Sequence, residues 1–156
     1  MTLKFKPALA ALALSVTSVA LAAPASAVYW KSSSDPLYVY EDGVPQGKTY
    51  GHFYNDGQVS AMSTSWQYDM KPGGNNVRVE TDFLFYGTHS GCDGTCWYNS
   101  ISKQTIETNS AWWVKDARAR NLEAGGEKAR GNIDICEIQA FHNDPCSAKA
   151  LPTFSY

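Results

Sequence analysis

Apolar and polar side chains alternate with a period of two along most of the 156-residue chain beyond its N-terminal apolar segment. The clearest alternation covers residues 77–86, where valine, threonine and phenylalanine occupy one face and Arg78, Glu80 and Asp82 begin the other. This pattern predicts a β-strand with one buried face. Residues 58–70 form a second predicted strand, which is rich in serine and threonine.

The segment between these two strands has the composition of a turn. Its sequence over residues 71–76 is Lys-Pro-Gly-Gly-Asn-Asn, in which proline presets φ and glycine permits a positive φ. In the strand before it, Met62, Trp66 and Tyr68 share one face. The two strands and this turn predict a β-hairpin.

Further strands are predicted along the rest of the chain, and turn-forming residues separate most of them. They cover residues 50–54, 97–101, 104–109, 111–122 and 128–139. No convincing amphipathic helix is present, although residues 115–128 could form a helical turn that Gly125-Gly126 would end. The pattern predicts an all-β domain, a two-sheet antiparallel sandwich of about seven strands.

The first 27 residues have the layout of a cleavable secretory signal. Lys4 and Lys6 supply a positive start, residues 8–23 are mostly Ala, Leu and Val, and Ala25-Ser26-Ala27 matches a cleavage site. A membrane anchor is the alternative, but a span needs about 20 apolar residues, and this run is shorter. We therefore expect a secreted, extracellular product that begins at Val28 and forms one domain.

The mature chain is mildly acidic. Of the 13 Lys and Arg residues, two leave with the signal, so 11 remain against 15 Asp and Glu, a net charge of −4. A chain of this charge, with no basic stripe, lacks the electrostatic signature of nucleic-acid binding or of binding to anionic membranes. The sequence predicts neither as a partner.

Four cysteines remain in the mature chain, and an even number in an exported protein usually means disulfides. Three pairings are possible, and local pairing is favoured because each local pair encloses turn-forming residues. The favoured bridges are Cys92–Cys96 and Cys136–Cys146. A zinc site that includes His89 and His142 is the alternative, but its thiolates would have to stay reduced after export. We therefore predict no metal and no cofactor.

Residues 28–48 differ from the rest of the mature chain. The β-prone tetrapeptide 37–40 lies between a Ser/Pro-containing break at 32–36 and a Gly/Pro-rich segment at 41–47. It is either the first edge strand of the sandwich or part of an extended N-terminal arm that adds as a strand to another protein. The second hypothesis separates an arm, residues 28–48, from the sandwich domain, residues 49–156. Its candidate partner-binding residues are Tyr29, Trp30, Leu37, Tyr38, Val39 and Tyr40.

No sequence motif predicts catalysis. The chain lacks Gly-x-Ser-x-Gly and His-Glu-x-x-His patterns and phosphate-binding loops. Glu80 and Asp82 share a strand face, as paired glycosidase carboxylates can, but a solvated polar face is the commoner cause. His52, His89 and His142 have no spacing that couples them to a nucleophile. We predict that the protein is not an enzyme.

Aromatic residues make up 13% of the chain, and most are expected to fill the core of a small sandwich. Trp112 and Trp113 differ from the others because adjacent strand residues point to opposite faces. One of them must then face outward or lie under a loop. An outward tryptophan can anchor a protein interface or stack on a sugar ring. Both residues are therefore candidates for glycan binding.

Three segments carry a resemblance to a known family. They are Asp-Pro-Leu-Tyr-Val-Tyr-Glu-Asp-Gly at residues 35–43, Tyr-Gly-His-Phe-Tyr-Asn-Asp-Gly at 50–57, and the ending Cys136…Asp144-Pro145-Cys146-Ser147. The overall pattern resembles small secreted actinobacterial proteins, and among them the adaptor subunits of umbrella toxin particles. Those adaptors join lectin-bearing subunits to a large, repeat-containing toxin polypeptide. The resemblance implies a non-catalytic connector whose N-terminal extension, residues 29–40 here, inserts into a groove of the toxin.

The leading prediction is a secreted protein–protein adaptor that links subunits of an extracellular, toxin-like assembly through its N-terminal arm. Its expected partners are other secreted proteins, which the resemblance identifies as a repeat-containing toxin polypeptide and a lectin-like subunit. The alternative is a secreted carbohydrate-binding module that uses exposed tryptophans. A small hydrolase or a hydrolase inhibitor ranks third.

Overall fold

The structure is a computed structural model that describes residues 27–156. These residues form nine β-strands and no helix. The strands are β1 (Val28–Lys31), β2 (Leu37–Glu41), β3 (Val44–Asp56), β4 (Ser60–Asp69), β5 (Val77–Thr88), β6 (Thr95–Gln104), β7 (Val114–Asn121), β8 (Gly126–Glu137) and β9 (Thr153–Ser155). The predicted signal, residues 1–27, lies outside the described residues except for its last position. The described chain contains no helix of the length and apolarity needed to cross a membrane.

The nine strands form two antiparallel sheets that pack face to face. In the first sheet, β1 and β2 both pair with the same edge of the long strand β3, one after the other. The other edge of β3 pairs with β4, and β4 pairs with β7. The second sheet has the order β6-β5-β8-β9. The predicted all-β, two-sheet antiparallel sandwich is confirmed, with nine strands in place of about seven.

The strand predicted at residues 97–101 is present within β6, but the strand predicted at residues 104–109 does not form. Only residue 104 belongs to a strand, at the end of β6, and residues 105–109 follow it as a segment outside the named strands. In that segment the amides of Thr105 and Thr108 donate to the carbonyl oxygens of Val79 and Val77, each at 2.9 Å. The helical turn considered at residues 115–128 does not form, because β7 and β8 occupy most of that range.

The predicted hairpin between residues 58–70 and 77–86 is wrong. β4 pairs with β3 and β7 in the first sheet, whereas β5 pairs with β6 and β8 in the second. Residues 71–76 do turn, with Gly73 at a φ of 93°, but they carry the chain from one sheet to the other. Each strand then buries one face against the opposite sheet. Local turn chemistry does not encode that long-range choice.

The interior is apolar on the side of the second sheet and polar along β4. The fully buried apolar side chains of β3, β5 and β8 are Phe53, Val77, Val79, Phe83, Phe85, Ala129, Ile133 and Ile135. The buried inward positions of β4 beyond Ala61 are Ser63, Ser65, Gln67 and Asp69. The hydroxyl of Ser63 lies 3.1 Å from that of Thr81 in the second sheet, and the side chain of Gln67 bonds to residues 105 and 106, which follow β6. Because strand faces alternate, the large residues of β4 point outward.

The segment predicted as an N-terminal arm forms the edge strands β1 and β2 in this structure. Its six candidate residues divide between the two faces of the sheet. Those packed on the core are Trp30, Leu37 and Val39. Those on the outer face are Tyr29, Tyr38 and Tyr40. Both strands pair with β3 on one side, and no strand of the described chain pairs with their other side.

Candidate binding surface

Nine aromatic rings cover the outer face of the first sheet, on the side away from the core. Outward positions of β3 and β4 are even-numbered, and their register places Tyr50 opposite Trp66 and Lys48 opposite Tyr68. Residues of β1, β2 and the segment before β7 extend this surface. We call it the aromatic face, and it consists of Tyr29, Tyr38, Tyr40, Tyr50, His52, Tyr54, Trp66, Tyr68 and Trp113.

The rings at the centre of the aromatic face pack against one another. Tyr50 and Trp66 stack with their centroids 5.2 Å apart and their planes 3° from parallel. Trp113 packs edge-on against Tyr50 at 4.8 Å and against Tyr68 at 5.4 Å. Each such pair stabilises its geometry by about 0.5–1.5 kcal/mol beyond simple burial. The surface is therefore preorganised by its own contacts.

Two lysines add positive charge to the aromatic face. The Nζ atom of Lys48 lies 4.6 Å from the ring centroid of Tyr68 and 5.2 Å from that of Trp113. The Nζ atom of Lys115 lies 5.2 Å from the ring centroid of Trp66. These are cation–π distances. The outward positions of β3 and β4 from residue 48 to 54 and from 62 to 68 contain no acidic residue.

His52 lies among these rings and carries no third positive charge at neutral pH. Burial lowers its pKa, and the charge of Lys115 lowers it further. Its Nδ1 atom is buried and has no hydrogen-bond partner in the described chain. The ring packs against Tyr29, Tyr54 and Trp66 at centroid distances of 5.2–5.5 Å. His52 therefore acts as a neutral aromatic member of the surface.

The two adjacent tryptophans have different surroundings. Trp113 belongs to the aromatic face, whereas Trp112 is 80% exposed. The Trp112 ring makes no aromatic or cation–π contact with other described residues. It lies in the segment before β7, where its amide donates to the Ser110 hydroxyl at 3.2 Å. The two candidate glycan-binding residues therefore do not form one site.

The paired carboxylates of β5 are occupied by neighbouring basic and amide groups. Glu80 accepts hydrogen bonds from Arg78 at 2.9 Å and from Gln104 at 3.0 Å. Asp82 accepts one from Lys149 at 2.8 Å. Burial raises the pKa of Asp82, but its hydrogen bonds and the charge of Lys149 together bring that pKa below the usual value. These contacts suit a structural ion-pair network.

Asp134 lies beside this network and has an unusual pKa. It pairs with Glu80 across the β5–β8 ladder, and its Oδ2 atom lies 3.8 Å from Nζ of Lys149. Burial raises the pKa of Asp134 to about 6; the Lys149 charge opposes this rise, and the charges of Glu80 and Asp82 add to it. An unfolded aspartate titrates near 3.9, so the folded protein binds a proton here first.

We expect the free energy of unfolding to rise by about 2 kcal/mol as the pH falls from about 7 to about 4.5. The raised folded pKa of Asp134 makes the ionised carboxylate unfavourable in the folded state, so stability is gained as that group protonates. Urea unfolding at a series of pH values measures this. Asp134→Asn should remove this rise, whereas Asp93→Asn in an exposed loop should keep it. A rise of equal size in Asp134→Asn would contradict the assignment.

Both predicted disulfides are present, Cys92–Cys96 and Cys136–Cys146, and the described chain has no free cysteine. The four sulfur atoms are bonded and cannot serve as thiolate ligands, so the zinc alternative at these cysteines fails. His89 instead stacks on Tyr98 at 4.5 Å and accepts a hydrogen bond from the amide of Gly91. The disulfides are compatible with an extracellular location.

The structure places some of the predicted site residues on one surface and shows that further residues, which the sequence did not indicate, belong to it. It brings the outward tyrosines of residues 28–41 onto the same face as Trp113. Sequence reasoning missed the centre of that surface, which is formed by Lys48, Tyr50, Trp66 and Tyr68. The available signal was the Ser-x-Ser-x-Gln-x-Asp alternation over residues 63–69, which identifies the polar set as one face and the aromatic set as the other.

Comparison with known proteins gives no family. No family model, no curated protein and no solved structure matches this chain.

Proposed function

We propose that this protein is a secreted, non-catalytic protein–protein adaptor that binds its partner with the aromatic face and the adjoining N-terminal edge. The observation that carries the proposal is the preassembled set of rings around Tyr50, Trp66 and Trp113, which lies outside the core. These three rings are partly exposed, and Tyr29 and Tyr40 at the edge of the same face are exposed. Exposed apolar patches on soluble proteins mark interaction sites. Tryptophan and tyrosine are also the residues most enriched at the energetic centres of protein interfaces.

The ring contacts favour a protein partner over a sugar. Stacking of a sugar needs an open ring face, but Tyr50 and Lys115 both already lie over the ring of Trp66. Lys48 likewise lies over the rings of Tyr68 and Trp113. The aromatic face presents closely packed apolar rings and the ammonium groups of two lysines. That chemistry suits a protein surface that presents apolar side chains beside carboxylates.

The N-terminal edge extends this surface. Tyr29 is 75% exposed and Tyr40 is 52% exposed, and both lie on strands whose outer side is unpaired. An unpaired edge can accept a strand from another protein. Withdrawal of the segment from its own sheet would expose Trp30 and Val39, at about 1.5–3 kcal/mol for each fully buried side chain. We therefore propose that the segment binds while it stays in place.

The test is capture of a partner by the mature protein, residues 28–156. Tagged protein is added to culture supernatant, the companion is identified by mass spectrometry, and its affinity is measured with purified material. Trp66→Ala should weaken that affinity by about 30-fold or more, the effect of losing a 2 kcal/mol hot spot. Trp112→Ala is the matched control, because its side chain is exposed but separate from the aromatic face. Circular dichroism verifies that both variants fold.

Salt dependence gives a second measure in the same assay. Replacement of Lys48 and Lys115 by alanine should slow association and reduce its dependence on ionic strength, because the proposed partner is acidic at the contact. A companion whose affinity is unchanged in both Trp66→Ala and the lysine variant would rule out the aromatic face as the binding surface.

A carbohydrate-binding module is the second candidate, and the observation in its favour is the open ring of Trp112. In that case a glycan array should show binding that Trp112→Ala abolishes and Trp66→Ala preserves. Trp66→Ala should therefore lose binding if the protein is an adaptor, and Trp112→Ala should lose binding if it is a carbohydrate-binding module. An array with no binding would remove the second candidate.

A further inference from the structure

An acidic pocket of about 410 Å³ lies at one end of the sandwich, away from the aromatic residues at the centre of the first sheet. Three parts of the chain meet there: the β2–β3 turn, the connection between the two sheets, and the end of β8. The polar side chains that line it are Glu41, Asp42, Gln46, Lys71, Asn75 and Glu137. We call this the turn-end pocket.

Glu137 is the buried member of the turn-end pocket. Its residue is 3% exposed, and its Oε1 atom accepts a hydrogen bond from Nδ2 of Asn75 at 3.1 Å. Its Oε2 atom is also buried but has no hydrogen-bond partner in the described part of the chain. An ionised carboxylate oxygen left without a partner is costly in a protein interior. The arrangement therefore calls for a ligand at Oε2.

The charges around Glu137 call for a cation. Glu41 and Asp42 contribute two further carboxylates at the β2–β3 turn, where Asp42 and Gly43 have φ values of 48° and 77°. Two consecutive positive φ values form a tight hairpin turn, which places both residues at the pocket rim. One oxygen of the Glu41 carboxylate, Oε1, accepts a hydrogen bond from Nε2 of Gln139. Lys71 is the one basic residue that lines the pocket, and it makes no ion pair with a described residue. The lining therefore has an excess of negative charge.

We propose that the turn-end pocket binds a calcium ion, with Glu137 as the buried ligand and Glu41 or Asp42 as the rim ligand. The lining supplies carboxylate and amide oxygens and no sulfur or imidazole, which is the donor set of a hard cation. Calcium accepts irregular sets of six to eight oxygens and tolerates water among them, whereas magnesium demands a near-ideal octahedron. Extracellular calcium modules bind with a Kd of about 10⁻⁴–10⁻³ M.

A bound ion would connect both sheets. Glu41 belongs to β2 in the first sheet and Glu137 to β8 in the second, while Asn75 belongs to the segment that crosses between them. Calcium would then bind the folded state and raise its stability by mass action. This inference is independent of the adaptor proposal, because the partner assay can succeed whether or not calcium binds.

Calorimetric titration of the mature protein with calcium chloride, after treatment with a chelator, tests the site. We expect one saturable binding event and a rise of about 5 °C in the midpoint of thermal unfolding at saturating calcium. Glu137→Gln, which keeps an oxygen for Asn75 but removes the charge, should weaken binding tenfold or more. Glu127→Gln, at the opposite end of the same strand and exposed, should leave it unchanged.

Lys71 provides a test in the opposite direction that does not disturb the buried residue. Lys71→Gln removes a positive charge from the lining and should tighten calcium binding severalfold. If Glu137→Gln fails to fold, Glu41→Gln and Lys71→Gln still test the site at its exposed rim. Absence of saturable binding up to about 20 mM calcium, well above the range for extracellular modules, would overturn the proposal. Equal affinity in Glu137→Gln, Lys71→Gln and the native protein would do so too.

Discussion

Gly51→Ala should leave the protein unfolded or destabilised by more than about 4 kcal/mol. A Cβ atom at this position would overlap the backbone carbonyl oxygen of Thr64 and would lie 2.8 Å from Cζ2 of Trp30. The carbonyl group belongs to the neighbouring strand β4, so it can move only if the β3–β4 pairing is disturbed. Domains of this size are stable by about 5–15 kcal/mol. The loss would therefore remove much of the stability.

Alanine substitutions at two other glycines provide a comparison for the expected loss of stability. At Gly47 an added Cβ would lie 2.7 Å from Cγ1 of Val77, which is a side-chain atom that can shift in part. At Gly91 the nearest atom is Nδ1 of His89 at 3.2 Å, in an exposed loop. Urea unfolding should rank the losses as Gly51→Ala, then Gly47→Ala, then Gly91→Ala. A Gly51→Ala variant within 1 kcal/mol of the native protein would show that β3 and β4 are not held as closely as the structure places them.

The strands themselves were predictable because they depend on local alternation. Residues 77–86 alternate cleanly and fall within β5, and Asn55-Asp56-Gly57 ends β3 where its turn chemistry indicates. The favoured disulfides were predictable for a similar reason, since each closes a short loop. Such features are determined within a dozen residues of sequence.

The pairing of strands was not predictable in the same way. The segment at residues 71–76 has the composition of a hairpin turn, yet it crosses between sheets. Its direction depends on β8, which begins 50 residues after the segment ends and pairs with β5 where β4 would pair in a hairpin. A single sequence contains no local signal for that competition, because both arrangements bury alternate residues.

The aromatic face was not predicted from the sequence. Most of the aromatic residues were expected in the core, but Tyr50, Trp66 and Tyr68 lie on the outer face. The opposite face of β4 carries serine, glutamine and aspartate, which are residue types that are mostly exposed in proteins. Ser63 and Gln67 are buried with hydrogen-bond partners, Thr81 in the second sheet and Thr105 just after β6. The hydroxyl of Ser65 has no hydrogen-bond partner in the described chain. Because strand faces alternate, burial of this polar face places the aromatic residues of β4 on the outer face.

Gln67→Met should cost about 3 kcal/mol, even though methionine has a similar volume and is more apolar. Gln67 is fully buried, and its Nε2 atom donates to the carbonyl oxygen of Ile106 at 2.7 Å. Its Oε1 atom accepts from the hydroxyl of Thr105 at 2.8 Å, and that hydroxyl accepts from the amide of Val79 at 2.8 Å. Methionine would leave groups on both sides unpaired, at about 1–3 kcal/mol each.

A double-mutant cycle separates this network from simple packing. Thr105→Val should also destabilise, because it removes the acceptor of the buried Val79 amide. The double variant should lose at least about 1 kcal/mol less than the sum of the two single losses, since the bond between the two side chains can be lost only once. Gln104→Met, an exposed replacement of the same kind, should change stability by less than about 0.5 kcal/mol. Strictly additive losses, or a stabilised Gln67→Met, would mean that water or rearrangement already satisfies these groups. In that case the hydrogen bonds of the buried polar residues would not explain why the aromatic residues of β4 lie on the outer face.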